Sequence, residues 1–313
     1  MKQKQIRNSL ILIITAFIWG VSFVSQSTGG DAMGPYAFNC IRSFIGAAFI
    51  LLIMFVSDKI GLGTMKPETK EEKKTLIKGG ILCGIFLCLA TNLQQLGIYL
   101  GTSAGKAGFL TTCYILLVPI LGLFFKKKCG LNIWIGVLFA VAGLYFLCIK
   151  GSFSIGLSDG LVMICAFIFA GHILVVDHFS PLVDGVRLSF IQFLTCGIIT
   201  AVPMFIVDMK HSIAGIIQWA PTMTTSAAWI SLLYAGIMSC GVAYTLQIIG
   251  QNGLNPTVAS LLMSLESVFS VVAGWIILNE KMGPRELFGC ALIFVAIVLA
   301  QIQIGRASCR ERV

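Results

Sequence analysis

Cys88-Leu-Ala-Thr-Asn92-Leu-Gln-Gln95-Leu-Gly-Ile-Tyr99 places Cys88, Asn92, Gln95 and Tyr99 at i, i+4, i+7 and i+11, one stripe along an otherwise apolar helix. About 152 residues later the same spacing returns in Cys240-Gly-Val-Ala-Tyr244-Thr-Leu-Gln247-Ile-Ile-Gly-Gln251. The echo extends outward along the chain. Ala16-Phe-Ile18 recurs as Ala166-Phe-Ile168, and Ile41-Arg42 aligns with Ile191-Gln192, both at a shift of about 150. At about 153, Lys128-Cys-Gly130 and Gly136 fall on Lys281-Met-Gly283 and Gly289. Each match is short. Their common order marks an internal repeat.

Composition says what kind of unit is repeated. Of 313 residues, 57% are hydrophobic and 11% charged, with a mean hydropathy of +0.94. A soluble domain carries roughly 25% charged residues, so two soluble domains are excluded and a polytopic membrane protein is implied. A span needs roughly 20 apolar residues. Ten segments qualify, at about 8–27, 34–57, 77–98, 103–125, 131–149, 157–176, 186–207, 226–249, 256–278 and 284–303. Pro35, Pro256 and Pro284 suit helix starts, and Pro119 predicts a kink within span four. The run after Met1-Lys-Gln-Lys-Gln-Ile-Arg7 is too long for a signal peptide and reads as the first helix.

Charge gives the orientation. With the N-terminus inside, 16 of the 22 Lys and Arg fall on inner segments. Five, namely Lys106, Lys150, Lys210, Lys281 and Arg285, fall on outer ones, and Arg42 lies within span two. The bias predicts a multi-pass inner (plasma) membrane protein with both termini cytoplasmic. The net charge of +9 is thereby accounted for without a nucleic-acid partner. The eleven cysteines, with no C-x-x-C pair, read as small buried hydrophobes. The 58–78 segment reads as a solvated connector, Gly80-x-x-x-Gly84 as a close helix contact, and 304–313 as a non-native or disordered tail.

A repeat of five spans is odd, so the second copy, 157–303, enters the membrane inverted relative to the first, 8–149. The fold expected is all-α, ten transmembrane helices in two inverted five-helix repeats, an architecture of transporters working by alternating access.

Further residues give a family likeness. Ala16-Phe-Ile-Trp-Gly-Val-Ser-Phe23, Arg42, Thr102-Ser-Ala-Gly-Lys-Ala-Gly-Phe109, Leu265-Glu266 and Leu278-Asn279-Glu280 resemble, in order and spacing, the ten-helix EamA branch of the drug/metabolite transporter superfamily. The sequence departs from that pattern at Ser267, where a proline is expected, and at Lys127, where the first half would hold the counterpart of Glu280. The resemblance implies export or exchange of amino acids, other small metabolites or drug-like compounds.

Ionisable groups at mid-membrane cost about 2.5–3.5 kcal/mol on insertion scales, so each needs a reason. Glu266 lies ten residues into span nine and is the proton-coupling candidate, against the alternative of a packing carboxyl. Arg42 suits a substrate carboxylate, against a structural pair or snorkelling, with Asn39 on the same face. The two stripes predict that Asn92, Gln95, Tyr244 and Gln247 line a cavity, with Trp19, Ser22, Tyr114 and Gln192 as neighbours. His172 reads as a bonded core residue. No Gly-x-x-x-x-Gly-Lys, H-E-x-x-H or clustered metal set occurs, so no cofactor or catalytic residue is expected. The expected partners are a small-molecule substrate, membrane lipids and protons, with monomer and homodimer both open. The competing readings are an uncoupled uniporter or facilitator, an integral-membrane enzyme and a non-transporting scaffold.

Overall fold

A computed structural model describes residues 2–59, 66–124, 130–148, 156–277 and 283–310. Lys126, Lys127, Lys128, Lys150, Lys281 and Leu278-Asn279-Glu280 lie outside them. Every regular element among the described residues is helical. The first group comprises α1 (Lys2–Met33), α2 (Pro35–Lys59), α3 (Lys70–Tyr99), α4 (Ala104–Thr112), α5 (Tyr114–Phe124) and α6 (Leu131–Cys148). There follow α7 (Leu157–Phe179), α8 (Gly185–Pro203), α9 (Ile213–Trp219), α10 (Ser226–Leu233), α11 (Tyr244–Gln251), α12 (Pro256–Met263), α13 (Leu265–Ile277) and α14 (Pro284–Arg310). A π-helical stretch, Tyr234–Ala243, joins α10 to α11, and a shorter one, Met204–Asp208, extends α8.

Among the described residues, eight helical segments are long and apolar enough to cross a membrane, and Trp134–Phe146 and Leu287–Leu299 are shorter apolar helices. The exterior is apolar, and polar side chains are buried within an otherwise apolar core. Leu52, Phe55, Leu89, Ile198 and Val202 are exposed, whereas Asn39, Arg42, Gln95, Gln192 and Glu266 are buried. Water would not tolerate so large an apolar surface on a monomer; lipid would. The chain is a multi-pass membrane protein.

Helix starts follow local chemistry. Thr69 and Glu72 form a capping box on α3, so the segment expected to be a connector is helical from Lys70. Ser103 caps α4, and Asn255 caps α12 with Pro256 in its first turn. Span four is interrupted at Cys113, one turn before the point where Pro119 predicts a kink, and span nine is interrupted at Ser264. Helix α14 continues through the residues read from sequence as a tail as far as Arg310; their side chains and residues 311–313 lie outside the description.

Close approaches set the cavity. Gly80 and Gly84 of α3 meet α8, where an added Cβ would stand 2.5 Å from Ile191 Cβ and 2.6 Å from Thr195 Cβ. Gly46 of α2 and Gly236 of the π stretch likewise let those backbones touch, and a Cβ on Gly46 would lie 2.6 Å from Cys240 Cβ. Helix α1 packs against α10, α11, α12 and α13, α3 between α7 and α8, and α6 along α14. The main core gathers between them.

Candidate functional site

Two interrupted spans and one π stretch converge at the centre. The breaks at Cys113 and Ser264 touch: Thr112 Oγ1 and Ser267 Oγ are 3.0 Å apart, and Ser267 Oγ donates to the Gly108 carbonyl at 3.3 Å. Just past each break stands a polar side chain, and these two meet as well. The Tyr114 hydroxyl donates to Glu266 Oε1 at 3.1 Å. Interrupted helices with functional groups at the break are how membrane proteins build internal binding sites, because the freed backbone there faces a cavity instead of lipid.

Here that cavity has a volume of about 40 Å³. At roughly 10–15 Å³ of such volume per water, it holds a few waters and no metabolite. Helix α1 supplies Trp19, Phe23 and Gln26, α2 supplies Arg42, and α3 and α4 supply Gln94 and Thr111. Tyr114 and Glu266 face Ser239, Tyr244 and Gln247, with Phe169, Ile173 and Met263 closing the wall.

Among the described residues the charges in it have no ionic partner. Arg42 is 4% exposed and lies over the Phe38 ring at 5.3 Å, and its guanidinium makes no hydrogen bond or ion pair among those residues. Glu266, also 4% exposed, has the Tyr114 hydroxyl and no cation among them. Trp19 Nε1, Gln26 Oε1 and Gln247 Oε1 are buried there without a partner among the described residues. Buried polar groups are almost always satisfied, so a wall with this many open positions is suited to a polar occupant. The Trp19 and Tyr244 rings, 4.6 Å apart, give it an aromatic side.

The residues expected from the sequence divide into two groups. Trp19, Arg42, Tyr114, Tyr244, Gln247 and Glu266 line the cavity together. The others lie outside it, and Ser22 Oγ, Asn39 Oδ1, Gln95 Oε1 and Gln192 Nε2 are buried with no hydrogen-bond partner among the described residues. Asn39 donates to the Thr91 carbonyl at 2.8 Å and to Asn92 Oδ1 at 3.0 Å. Asn92 donates to Thr200 Oγ1 at 2.9 Å, and Gln95 to the Gln26 carbonyl at 2.8 Å. Gln192 pairs with His172 Nε2 at 3.2 Å, and Ser22 is fully buried. The α3 stripe therefore faces α1, α2 and α8, and Tyr99 is exposed at its end. Its cavity residue is Gln94, one position and about 100° away, held by Thr111 Oγ1 at 2.9 Å. Phe23 and Gln26 continue the face of Trp19 at i+4 and i+7, a readable spacing, and Ser239 precedes the stripe residue Cys240.

At each end of the bundle the two halves are also tied by carboxylates. Asp58, at the end of α2, binds Arg187 in the first turn of α8 at 3.3 Å and Lys66 at 2.9 Å. Asp208, at the end of the α8 extension, accepts from the Ala37 and Tyr36 amides in the first turn of α2. Gly34 makes room for it: its φ is +96°, and a Cβ there would lie 2.6 Å from the Asp208 carboxyl carbon. Asp159 of α7 binds Lys106 at 2.7 Å and the Thr102 hydroxyl at 3.0 Å.

Known proteins share this sequence pattern. That of the EamA-like transporter family matches residues 7–149 and again 156–301. An uncharacterized transporter of Archaeoglobus fulgidus is 29% identical over 96% of this chain and 88% of its own length. The uncharacterized transporter YoaV of Bacillus subtilis is 24% identical over 94% and 97%. A WAT1-related chloroplastic protein of Arabidopsis thaliana is 24% identical over 94% of this chain and 69% of its own. One solved crystal structure, 17% identical, superposes with a TM-score of 0.74 over 95% of this chain and 96% of the other, a likeness of fold.

Proposed function

The chain belongs to the EamA-like transporter family, and from that premise we propose that it is a secondary transporter moving a small charged metabolite, of the amino-acid class, by alternating access. The observation that carries this reading is the pair Arg42 and Glu266, both buried, neither with an ionic partner among the described residues, in one central cavity. A guanidinium takes a carboxylate in bidentate fashion, and Glu266 takes an ammonium or a proton. The substrate ammonium and a proton then compete for the one carboxylate, which would couple their movements. A volume of about 40 Å³ is far below the ~300 Å³ of a small ligand pocket, so the reading requires a second conformation in which the cavity widens.

The proposed mechanism rests on ten helices in two inverted repeats, with both termini cytoplasmic and export as the direction. Several correspondences support it. The breaks at Cys113 and Ser264 and the caps Ser103 and Asn255 are each about 151 or 152 residues apart. Asp58 against Arg187 and Asp208 against Ala37 pair the ends of α2 and α8 reciprocally at a shift of about 150. The family pattern itself matches twice. Rocking one repeat against the other would exchange these end contacts about a fixed central site.

Counterflow in proteoliposomes, with neutral amino acids, nucleosides and cationic drugs with and without a proton gradient, tests the reading. Exchange of a zwitterion, lost in Arg42→Gln, is expected. Exchange of nucleosides or cationic drugs alone, or full activity in Arg42→Gln, overturns the assignment.

A further inference from the structure

One end of α3 carries charge that the central cavity does not use. Lys70, Lys73, Lys74 and Lys78 recur at i, i+3, i+4 and i+8, on one face, and all four are exposed. Among the described residues none of them makes a hydrogen bond or ion pair. Most neighbouring acids are engaged. Glu72 closes the capping box with Thr69 and Asp58 holds Lys66 and Arg187, while Glu71, at i−3 and i−7, shares the face of Lys74 and Lys78 without an ion pair to either among the described residues.

Along the same face Ile77, Ile81, Ile85 and Leu89 follow at four-residue intervals, all exposed. Beside that row Leu82 and Phe86 open an apolar groove of about 670 Å³ against α5 and α7, with Phe167, Leu174 and Phe179 on its far wall. Lys74, Lys78, Leu82 and Phe86 stand at successive i+4 positions, so the cations sit one and two turns above the groove. Asp177 and His178 line the α7 end, so with Glu71 two carboxylates stand against four lysines.

We propose that this face binds an anionic phospholipid, with its phosphate over Lys74 and Lys78 and an acyl chain along the isoleucine row and into the groove. Lysine snorkelling alone would need only a membrane surface. Unpaired cations directly above an apolar recess recognise a molecule that is anionic at one end and apolar along its length. The site requires only that α3 cross a bilayer, so it stands or falls apart from the substrate and the orientation of the chain.

The full chain in detergent, titrated by native mass spectrometry with phosphatidylglycerol and phosphatidylcholine of matched acyl chains, tests this. Phosphatidylglycerol is expected to bind more tightly. A juxtamembrane lysine contributes about fivefold, so Lys74→Gln with Lys78→Gln should weaken it about 25-fold, to the level of phosphatidylcholine. Leu174→Trp, which fills the groove, should weaken both lipids while leaving the preference between them. Glycerol phosphate, with no acyl chain, should not bind. Equal affinity for the two lipids, an unchanged double variant, binding of glycerol phosphate as tight as of the lipid, or a lipid-free dimer would each overturn the proposal.

Discussion

Span α4–α5 stops at Cys113 and resumes with Tyr114, whereas span α12–α13 stops at Ser264 and resumes with Leu265 and Glu266. The first contains Pro119, which removes the N–H that would reach the Ile115 carbonyl, and Thr112 bonds back to the Gly108 and Phe109 carbonyls. The second has no proline beyond Pro256 in its first turn. There, Ser260 and Ser264 hydroxyls bond back to the Thr257 and Leu261 carbonyls at 2.8 and 2.7 Å, a contact that bends helices. Equivalent shapes thus arise from unlike causes, and the groups displayed are unlike too: a phenol on one side, a carboxyl on the other. On the proposed mechanism a near-symmetric frame would hold an asymmetric site, the repeats trading conformations while the chemistry remains at one place.

Replacing the carboxyl strikes hardest at that asymmetry. Glu266→Gln is expected to retain the fold and the Tyr114 contact but to abolish acceleration by a proton gradient, at least a tenfold loss of driven uptake in proteoliposomes. Unchanged gradient dependence would remove Glu266 from coupling. The ends of the bundle offer the next test. Asp208→Ala strips two buried-end amides of α2 of their acceptor and should cost about 1–2 kcal/mol, read as a lowered unfolding midpoint. Its counterpart Asp58→Ala, at partly solvated pairs with Lys66 and Arg187, should lower the midpoint less. Equal effects would mean the two ends are alike after all. Tyr114→Phe removes one hydrogen bond to the carboxyl, about 1 kcal/mol, and should lower transport roughly fivefold without altering its gradient dependence. The smallest effect belongs to the contact between breaks. A double-mutant cycle on Thr112→Val and Ser267→Ala should give a coupling of about 0.6 kcal/mol.

What could be read from sequence divides along cost. Arg42 and Glu266 stand out because a charge within an apolar span is too expensive to be idle, and both lie in the cavity. Neutral amides carry no such mark. Gln94 and Gln95 are adjacent, and only the crossing of α3 against α1 and α8 decides that Gln94 faces the cavity while Gln95 bonds to the Gln26 backbone. The apolar spans were legible from length and hydropathy, and Pro119 signalled an irregularity in the fourth. The break at Ser264 was not, because serines within a helix bond back to the backbone or point outward with the same sequence signature.

The packing of α1 has a bearing on how the molecule is made. Its neighbours are chiefly α10 to α13 and the π stretch between α10 and α11, elements lying more than 190 residues downstream. Asn8 completes the arrangement by donating to the Asn252 carbonyl at 2.8 Å. At translation rates of about 5–20 residues per second, the leading helix waits some 10–50 s in the bilayer before its companions are synthesised. Its exposed polar groups need shelter during that interval. The ribosome-bound intermediate, rather than the finished bundle, is therefore where the membrane-insertion and quality-control machinery has most to hold.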